Sequence, residues 1–185
     1  MIRYILAAAV LALAACGGDH DKGDSNVMRE IERAERQDQR EAQTAALGSD
    51  AFLAQVRAQP GVEAFPSGLL LERRTRGANQ SLARPGPQAV VLVHYEGKLP
   101  NGSVFDSSFR RGQPAQFPLN QVVPGFSEAI QQMRPGDEVV ATFPSDLGYG
   151  PQGQPPVIPP ASALQFRIVL LAFQNPGGHV VEAPH

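Results

Sequence analysis

The sequence predicts an α+β domain in which a sheet folds over one short helix, and three observations carry that prediction. First, the stretch Val122-Val123-Pro124-Gly125-Phe126 runs on through Ser127 to Met133 and stops at Arg134-Pro135-Gly136. It reads as a strand end, a Pro-Gly turn and a helix of about two turns, because Pro135 cannot continue a helix and Gly136 supplies the next turn. A helix that short is not stable alone in water, so both of its sides must be packed. Second, the segments flanking it alternate apolar and polar residues with the period of strands. Third, 17 prolines and 18 glycines in 185 residues suit a β-rich domain with long loops.

The chain is long enough for one good core and too short for two large ones. A net charge of -2 and a pI near 6.1 give no electrostatic basis for binding nucleic acid. With a single cysteine, an intramolecular disulfide and a Cys-based metal cluster are both excluded. That cysteine, Cys16, follows a positively charged start (Met1-Ile2-Arg3) and an uncharged apolar run over residues 4–15. The run is about a dozen residues long, too short to remain as a membrane span, and reads as a secretory signal over residues 1–15. Leu13-Ala14-Ala15-Cys16 resembles the lipobox of bacterial lipoproteins, which implies cleavage before Cys16 and lipidation of its sulfur. The competing reading is an ordinary signal peptide with a chance cysteine. Gly17 after the cysteine fits sorting to the outer membrane, facing the periplasm.

Residues 16–26 have nothing apolar to bury and are expected to be a flexible tether, with His20 among Asp19, Asp21 and Asp24 as solvated linker residues. A helical segment is expected over residues 27–66. Its first helix covers residues 27–47 and stops at Gly48, and carries the i,i+4 pair Glu32/Arg36. Val27, Ile31, Ala34 and Ala45 make a thin stripe, read as a solvated spacer in preference to a dimerisation helix. A second helix is expected over residues 50–58, capped by Ser49 or Asp50 and stopped by Pro60-Gly61.

Strands are then expected at residues 69–75, 89–96, 104–105, 116–123, 137–143 and 163–173. Val91, Val93 and Tyr95 share one face of the second, with His94 on the solvent side. The last is the clearest: Leu164, Phe166, Ile168 and Leu170 face one way, Gln165 and Arg167 the other. Residues 106–114 and 144–162 read as loops, and residues 175–185 as a disordered tail. The sequence contains no phosphate-cradling Gly loop, no HExxH, no G-x-S-x-G and no carboxylate pair in an apolar setting. If this chain is an enzyme, its chemistry must need no nucleophile and no cofactor.

Five motifs now bear on function: Val93-His94-Tyr95-Glu96-Gly97, Phe105-Asp106-Ser107-Ser108, Val122-Val123-Pro124-Gly125-Phe126, Leu147-Gly148-Tyr149-Gly150 and Val157-Ile158-Pro159-Pro160. In this order and spacing the chain resembles an FKBP-type peptidyl-prolyl isomerase over residues 67–174, and is similar to the macrophage-infectivity-potentiator group of bacterial envelope proteins. The resemblance implies an antiparallel sheet of about five strands around the short helix. It implies pocket positions at Tyr95, Phe105, Asp106, Phe117, Val122, Val123, Phe126, Tyr149, Ile158 and Phe166, with Phe126 at the floor where the family usually has Trp. Arg111 matches the partner of the pocket aspartate, and Arg110 is an alternative in the same loop. Ala115, Gln154 and Gly148 depart from the family pattern and imply a wider, less aromatic rim, with weakened binding of macrolides such as rapamycin.

The implied partners are proline-containing polypeptides and, through the lipid anchor, a membrane; the expected assembly is a monomer or weak dimer. The implied chemistry requires only differential binding of a twisted amide. Tyr95, Asp106 and Tyr149 are the catalytic candidates, Tyr149 and the Val123 N–H as donors. Asp106 either faces the twisting carbonyl or holds the rim through Arg111. The competing functional readings are an envelope chaperone or binding module using the same cleft, and an anchored scaffold.

Overall fold

The computed structural model describes residues 21–184, so the signal-peptide and lipidation readings at residues 1–16 lie outside the described residues. The chain divides into two compact units, Met1–Gln37 and Asp38–His185. In the first, the described part is helical, with Val27, Met28 and Ile31 exposed and Arg36 paired to Glu32 at 3.5 Å. Among the described residues no helix is long and apolar enough to cross a membrane.

Helix α1 runs Asp21–Arg57 without interruption. Three expectations change here. The helix begins inside the expected tether, Gly48 does not stop it, and Ser49 is not an N-cap. Glycine costs a helix only about 1 kcal/mol, and tertiary contacts outweigh that: Val56 is buried and the Ser49 hydroxyl is taken up by the body of the domain.

The second unit is an antiparallel sheet of eight strands: β1 (Val62–Ala64), β2 (Leu70–Thr75), β3 (Val90–Lys98), β4 (Val104–Ser107), β5 (Ala115–Pro118), β6 (Glu138–Phe143), β7 (Leu164–Gln174) and β8 (Val180–Glu182). The main order is β1-β2-β6-β7-β3-β4; β5 pairs with β3 and β8 with β7. The count exceeds the expected five because short edge strands join at both ends. β7, eleven residues long, lies between β6 and β3 and alternates in burial as its sequence does: Leu164, Phe166, Ile168 and Leu170 are buried. β3 buries Val91, Val93 and Tyr95 on the same side. The expected tail instead supplies β8, which pairs Val181 with Phe173 and packs against the core, so the chain from residue 175 is not a loose end.

Helix α3 (Pro124–Gln131) fills the hollow of the sheet with Phe126, Ala129 and Ile130. Pro124 opens the helix as its first residue, where its missing N–H has no intrahelical use; the expected Pro-Gly turn is the first turn of the helix itself. The expected strand before it ends at Pro118 and gives way to one 3-10 turn, Leu119–Gln121. Gly125 is required by proximity, since a Cβ there would lie 2.5 Å from the Phe143 ring. A second short helix, α2 (Ser108–Arg111), stands within the expected 106–114 loop, capped by the Ser107 hydroxyl, which accepts from the Arg110 N–H.

Candidate active site

The start of α3 and the concave face of the sheet enclose a cavity of about 290 Å³, lined by Tyr95, Asp106, Phe117, Gln121, Val122, Val123, Phe126, Tyr149 and Phe166. Period-two alternation on β3 and β7 places Tyr95 and Phe166 on the inner face. The N-terminal turn of α3 brings Phe126 to the floor, 5.1 Å from the Phe166 ring and 5.8 Å from the Tyr95 ring, both edge-on. Phe117 from β5 closes one side at 5.6 Å from Tyr95. Such edge-to-face pairs each add about 1 kcal/mol beyond area burial and fix the wall in shape. Gly97 keeps the wall in place: a Cβ there would come within 2.5 Å of Phe105 and 2.8 Å of Phe166.

The polar side of the cavity is one connected group. The Tyr95 hydroxyl donates to one Asp106 carboxylate oxygen, and the Arg111 guanidinium donates to the other. A second Arg111 N–H reaches the Tyr95 oxygen at 3.0 Å. α2 makes this possible by turning the chain after Asp106, so that Arg111 comes back over the carboxylate while Arg110 does not pair with it. Burial disfavours the charged form of Asp106, but the Tyr95 and Arg111 bonds outweigh it and hold the carboxyl below the usual aspartate range. Burial, then the bond to Asp106, pushes the Tyr95 hydroxyl up. Burial, then the nearby Asp106 charge, pushes Tyr149 up as well. At neutral pH the rim is thus an ionised carboxylate, a guanidinium and two neutral phenols.

Of the eleven predicted site residues, eight line this cavity and Arg111 completes its rim. Phe105 and Ile158 are not in the lining. Phe105 backs the Phe166 ring at 5.5 Å, and Ile158 is 2% exposed within the hydrophobic core. Gln121 is a lining residue that sequence reasoning passed over, although it directly precedes Val122. Ser108, outside the lining, was also passed over: its buried hydroxyl accepts the Tyr95 N–H at 2.8 Å and lies 3.1 Å from the His94 ring, fixing the backbone that carries Tyr95. His94 is therefore half-buried and stacked on Phe109 at 4.9 Å, not a free solvent-side residue. Ala115 pairs with Val93 between β5 and β3, and Gln154 exchanges main-chain bonds with Ile158. At Gly148 an added Cβ would lie 2.9 Å from the Leu164 side chain, so an alanine fits here only if Leu164 shifts.

The site is thus an aromatic cavity at the N-terminus of a short helix, set against the concave face of an antiparallel sheet. Residues 82–171 match the FKBP-type peptidyl-prolyl cis-trans isomerase family. The Escherichia coli FKBP-type 22 kDa peptidyl-prolyl cis-trans isomerase is 40% identical over 145 residues, 78% of this chain and 69% of that protein. The peptidyl-prolyl cis-trans isomerase Mip of Coxiella burnetii is 43% identical over 127 residues, 69% of this chain; the chain spans 54% of that relative's length. The crystal structure of FkpA from E. coli superposes with a TM-score of 0.72 at 27% identity, covering 89% of this chain and 74% of that one. The chain belongs to the FKBP-type peptidyl-prolyl cis-trans isomerases.

Proposed function

We propose that this protein accelerates the cis-trans isomerisation of Xaa-Pro bonds by preferring the twisted amide to the planar one. The barrier of roughly 18–20 kcal/mol is the lost C–N double-bond character. A twisted amide is less dipolar than a planar one, so an apolar cavity favours it relative to the ground state. The observation that carries the reading is the cavity itself: aromatic and aliphatic on the floor and walls, with its few polar groups gathered at one rim. Phe126, Phe166, Phe117, Val122 and Val123 hold the proline ring, and Phe105 and Ile158 support that wall from outside the lining.

The Val123 main chain is extended at the helix N-cap, and its carbonyl is already engaged by Phe126 and Ser127; its N–H is the donor offered to substrate. The Tyr149 hydroxyl is the second donor, being neutral at physiological pH. Asp106, with Tyr95 and Arg111, keeps the carboxylate in fixed orientation at the rim, where it faces the rotating carbonyl and its N–C neighbour. A thousandfold acceleration asks for only about 4 kcal/mol of preferential binding, within reach of an apolar pocket and two hydrogen bonds. No cofactor is needed for this. The same cleft binds proline-containing polypeptides and, more weakly given Ala115, Gln154 and Gly148, macrolides.

The lipobox-like Leu13-Ala14-Ala15-Cys16 supports a reading in which this activity is carried on a lipid anchor in the bacterial envelope, at the outer membrane facing the periplasm, where secreted and envelope proteins fold. The experiment follows cis-to-trans relaxation of a short Xaa-Pro peptide with protein freed of residues 1–16. Acceleration that falls at least tenfold in Phe126→Ala supports the reading. A folded parent that leaves the relaxation rate unchanged overturns it and leaves the chaperone or scaffold reading.

A further inference from the structure

Ser49 sits in the C-terminal third of α1, and its side chain is used in an unusual way for a helical serine. It is 4% exposed, and its hydroxyl is not returned to the helix. It accepts the Ala163 N–H at 2.8 Å and donates to the Ala161 carbonyl at 3.2 Å, more than a hundred residues away. Both groups belong to the end of the long loop that precedes β7. Ala161 is the one non-glycine residue at positive φ (54°) among the described residues, a conformation that residues with a Cβ keep only when the surroundings enforce it. Its own N–H donates to the Gly150 carbonyl at 3.2 Å, and Gly150 (φ 65°) directly follows Tyr149.

The bonds form a relay: Ser49 holds the turn at Ala161, Ala161 holds Gly150, and Gly150 ends the peptide that carries the Tyr149 ring into the cavity. Little else steadies that ring from its polar end, since among the described residues its hydroxyl makes no hydrogen bond. The rest of the loop is closed on itself through main-chain bonds between Gln154 and Ile158. We propose that Ser49 is a positioning residue for the isomerase pocket, setting the Tyr149 hydroxyl over the cavity through Ala161 and Gly150. The catalytic unit then begins inside α1 and not at residue 67, and the helix is a working part of the site. This rests on the reading of Tyr149 as a substrate donor.

The test is a double-mutant cycle on the purified full chain, read by Xaa-Pro relaxation, with Ser49→Ala, Tyr149→Phe and the pair. Thr44→Ala is the control, since its hydroxyl bonds only within the helix, to the Arg40 carbonyl. Ser49→Ala should lower kcat/KM by roughly fivefold, the scale of one misplaced hydrogen-bonding group, and should cost nothing further once Tyr149 is Phe. In protein carrying 13C-labelled tyrosine, the Tyr149 ring signals should move in Ser49→Ala while those of Tyr95 stay. Ser49→Cys keeps the volume with a weaker donor and acceptor, and replaces the alanine variant if that one does not fold. Parent-level activity in Ser49→Ala, or losses that simply add in the pair, overturns the proposal. Parent-level activity in Tyr149→Phe alone overturns the donor reading first, a result the Ser49 variants cannot mimic.

Discussion

Two aspartates in this domain are ionised, paired with arginine and close to helix α3, yet they serve opposite ends. Asp137, just past α3, is completely buried and its carboxylate is filled. Arg73 reaches it at 2.8 Å, the Gly77 N–H at 2.8 Å, the Arg134 N–H at 2.9 Å and Gln80 at 3.1 Å. Those donors tie the 76–88 loop and the end of α3 to β6. Asp106, beside the start of α3, keeps 41% of its side chain exposed and has two side-chain donors, Tyr95 and Arg111. It retains acceptor capacity directed at a cavity. A saturated carboxylate holds the fold together, whereas an unsaturated one at an open rim is free to meet a ligand. The contrast predicts that stability and activity separate between the two positions.

The largest effect is expected at Asp137. Asp137→Ala leaves Arg73 and two main-chain N–H groups without their acceptor and should cost about 3 kcal/mol, the low end for breaking a buried pair because Arg73 is partly exposed. Urea unfolding measures it, and a loss under about 1 kcal/mol would erase the distinction between the two sites. Molecules that remain folded should isomerise normally. Asp106→Ala is the mirror case. Its ion pair is half-exposed and worth at most about 1 kcal/mol to folding, but kcat/KM should fall tenfold or more, equivalent to about 1.4 kcal/mol of transition-state binding. Unchanged activity in a folded Asp106→Ala protein would remove the carboxylate from the mechanism.

Acid sharpens the same comparison. Burial opposes the charge of Asp137, but the N–H groups of Gly77 and Arg134, with Gln80 and Arg73, outweigh it and lower the pKa. A carboxyl whose folded pKa lies below its unfolded value of about 3.9 adds stability that is complete above that value and is lost as the pH falls through the folded one. The parent should therefore lose stability steeply below about pH 4. Asp137→Asn, which has no such proton to take up, should show a flatter curve in that window, and Asp106→Asn should differ little from the parent because solvent screens its pair. Equal flattening by both substitutions would contradict the division of roles.

What the sequence disclosed about these regions follows from the range of the interactions. Strands β3 and β7 were legible because each buries alternate residues, a pattern written within nine and eleven positions. α3 was legible from Pro135 and Gly136 and from the need to pack Phe126, though Pro124 was misread as a turn because helix-start and turn prolines look alike in isolation. The lining at Tyr95, Val122, Val123 and Phe126 came from residues in register with family motifs. α1 was broken at Gly48 on local propensity, and only the docking of Val56 and Ser49 shows why it continues. β8 is three residues that owe their extended form to the free edge of β7, which no local signal records. Asp137 was placed in a strand and given no role, since its partners come from positions 73, 77, 80 and 134 and meet only in three dimensions.

The smallest expected effect lies within the rim itself. Arg111 holds Asp106 with one N–H and the Tyr95 oxygen with another at 3.0 Å, and its guanidinium lies 5.6 Å from the Tyr95 ring centre. A lysine keeps the charge but offers a point donor on a flexible stem in place of a planar fork. Arg111→Lys should leave unfolding free energy unchanged within about 0.5 kcal/mol, because half-exposed pairs contribute little. The loss should appear instead in orientation: the carboxylate turns more freely, Tyr95 loses one contact, and kcat/KM drops about threefold, near 0.6 kcal/mol. Arg111→Ala, losing charge and fork together, should fall further and approach Asp106→Ala. If lysine performs as well as arginine while alanine does not, the rim needs only a positive charge, and the geometry of the fork is incidental to the chemistry.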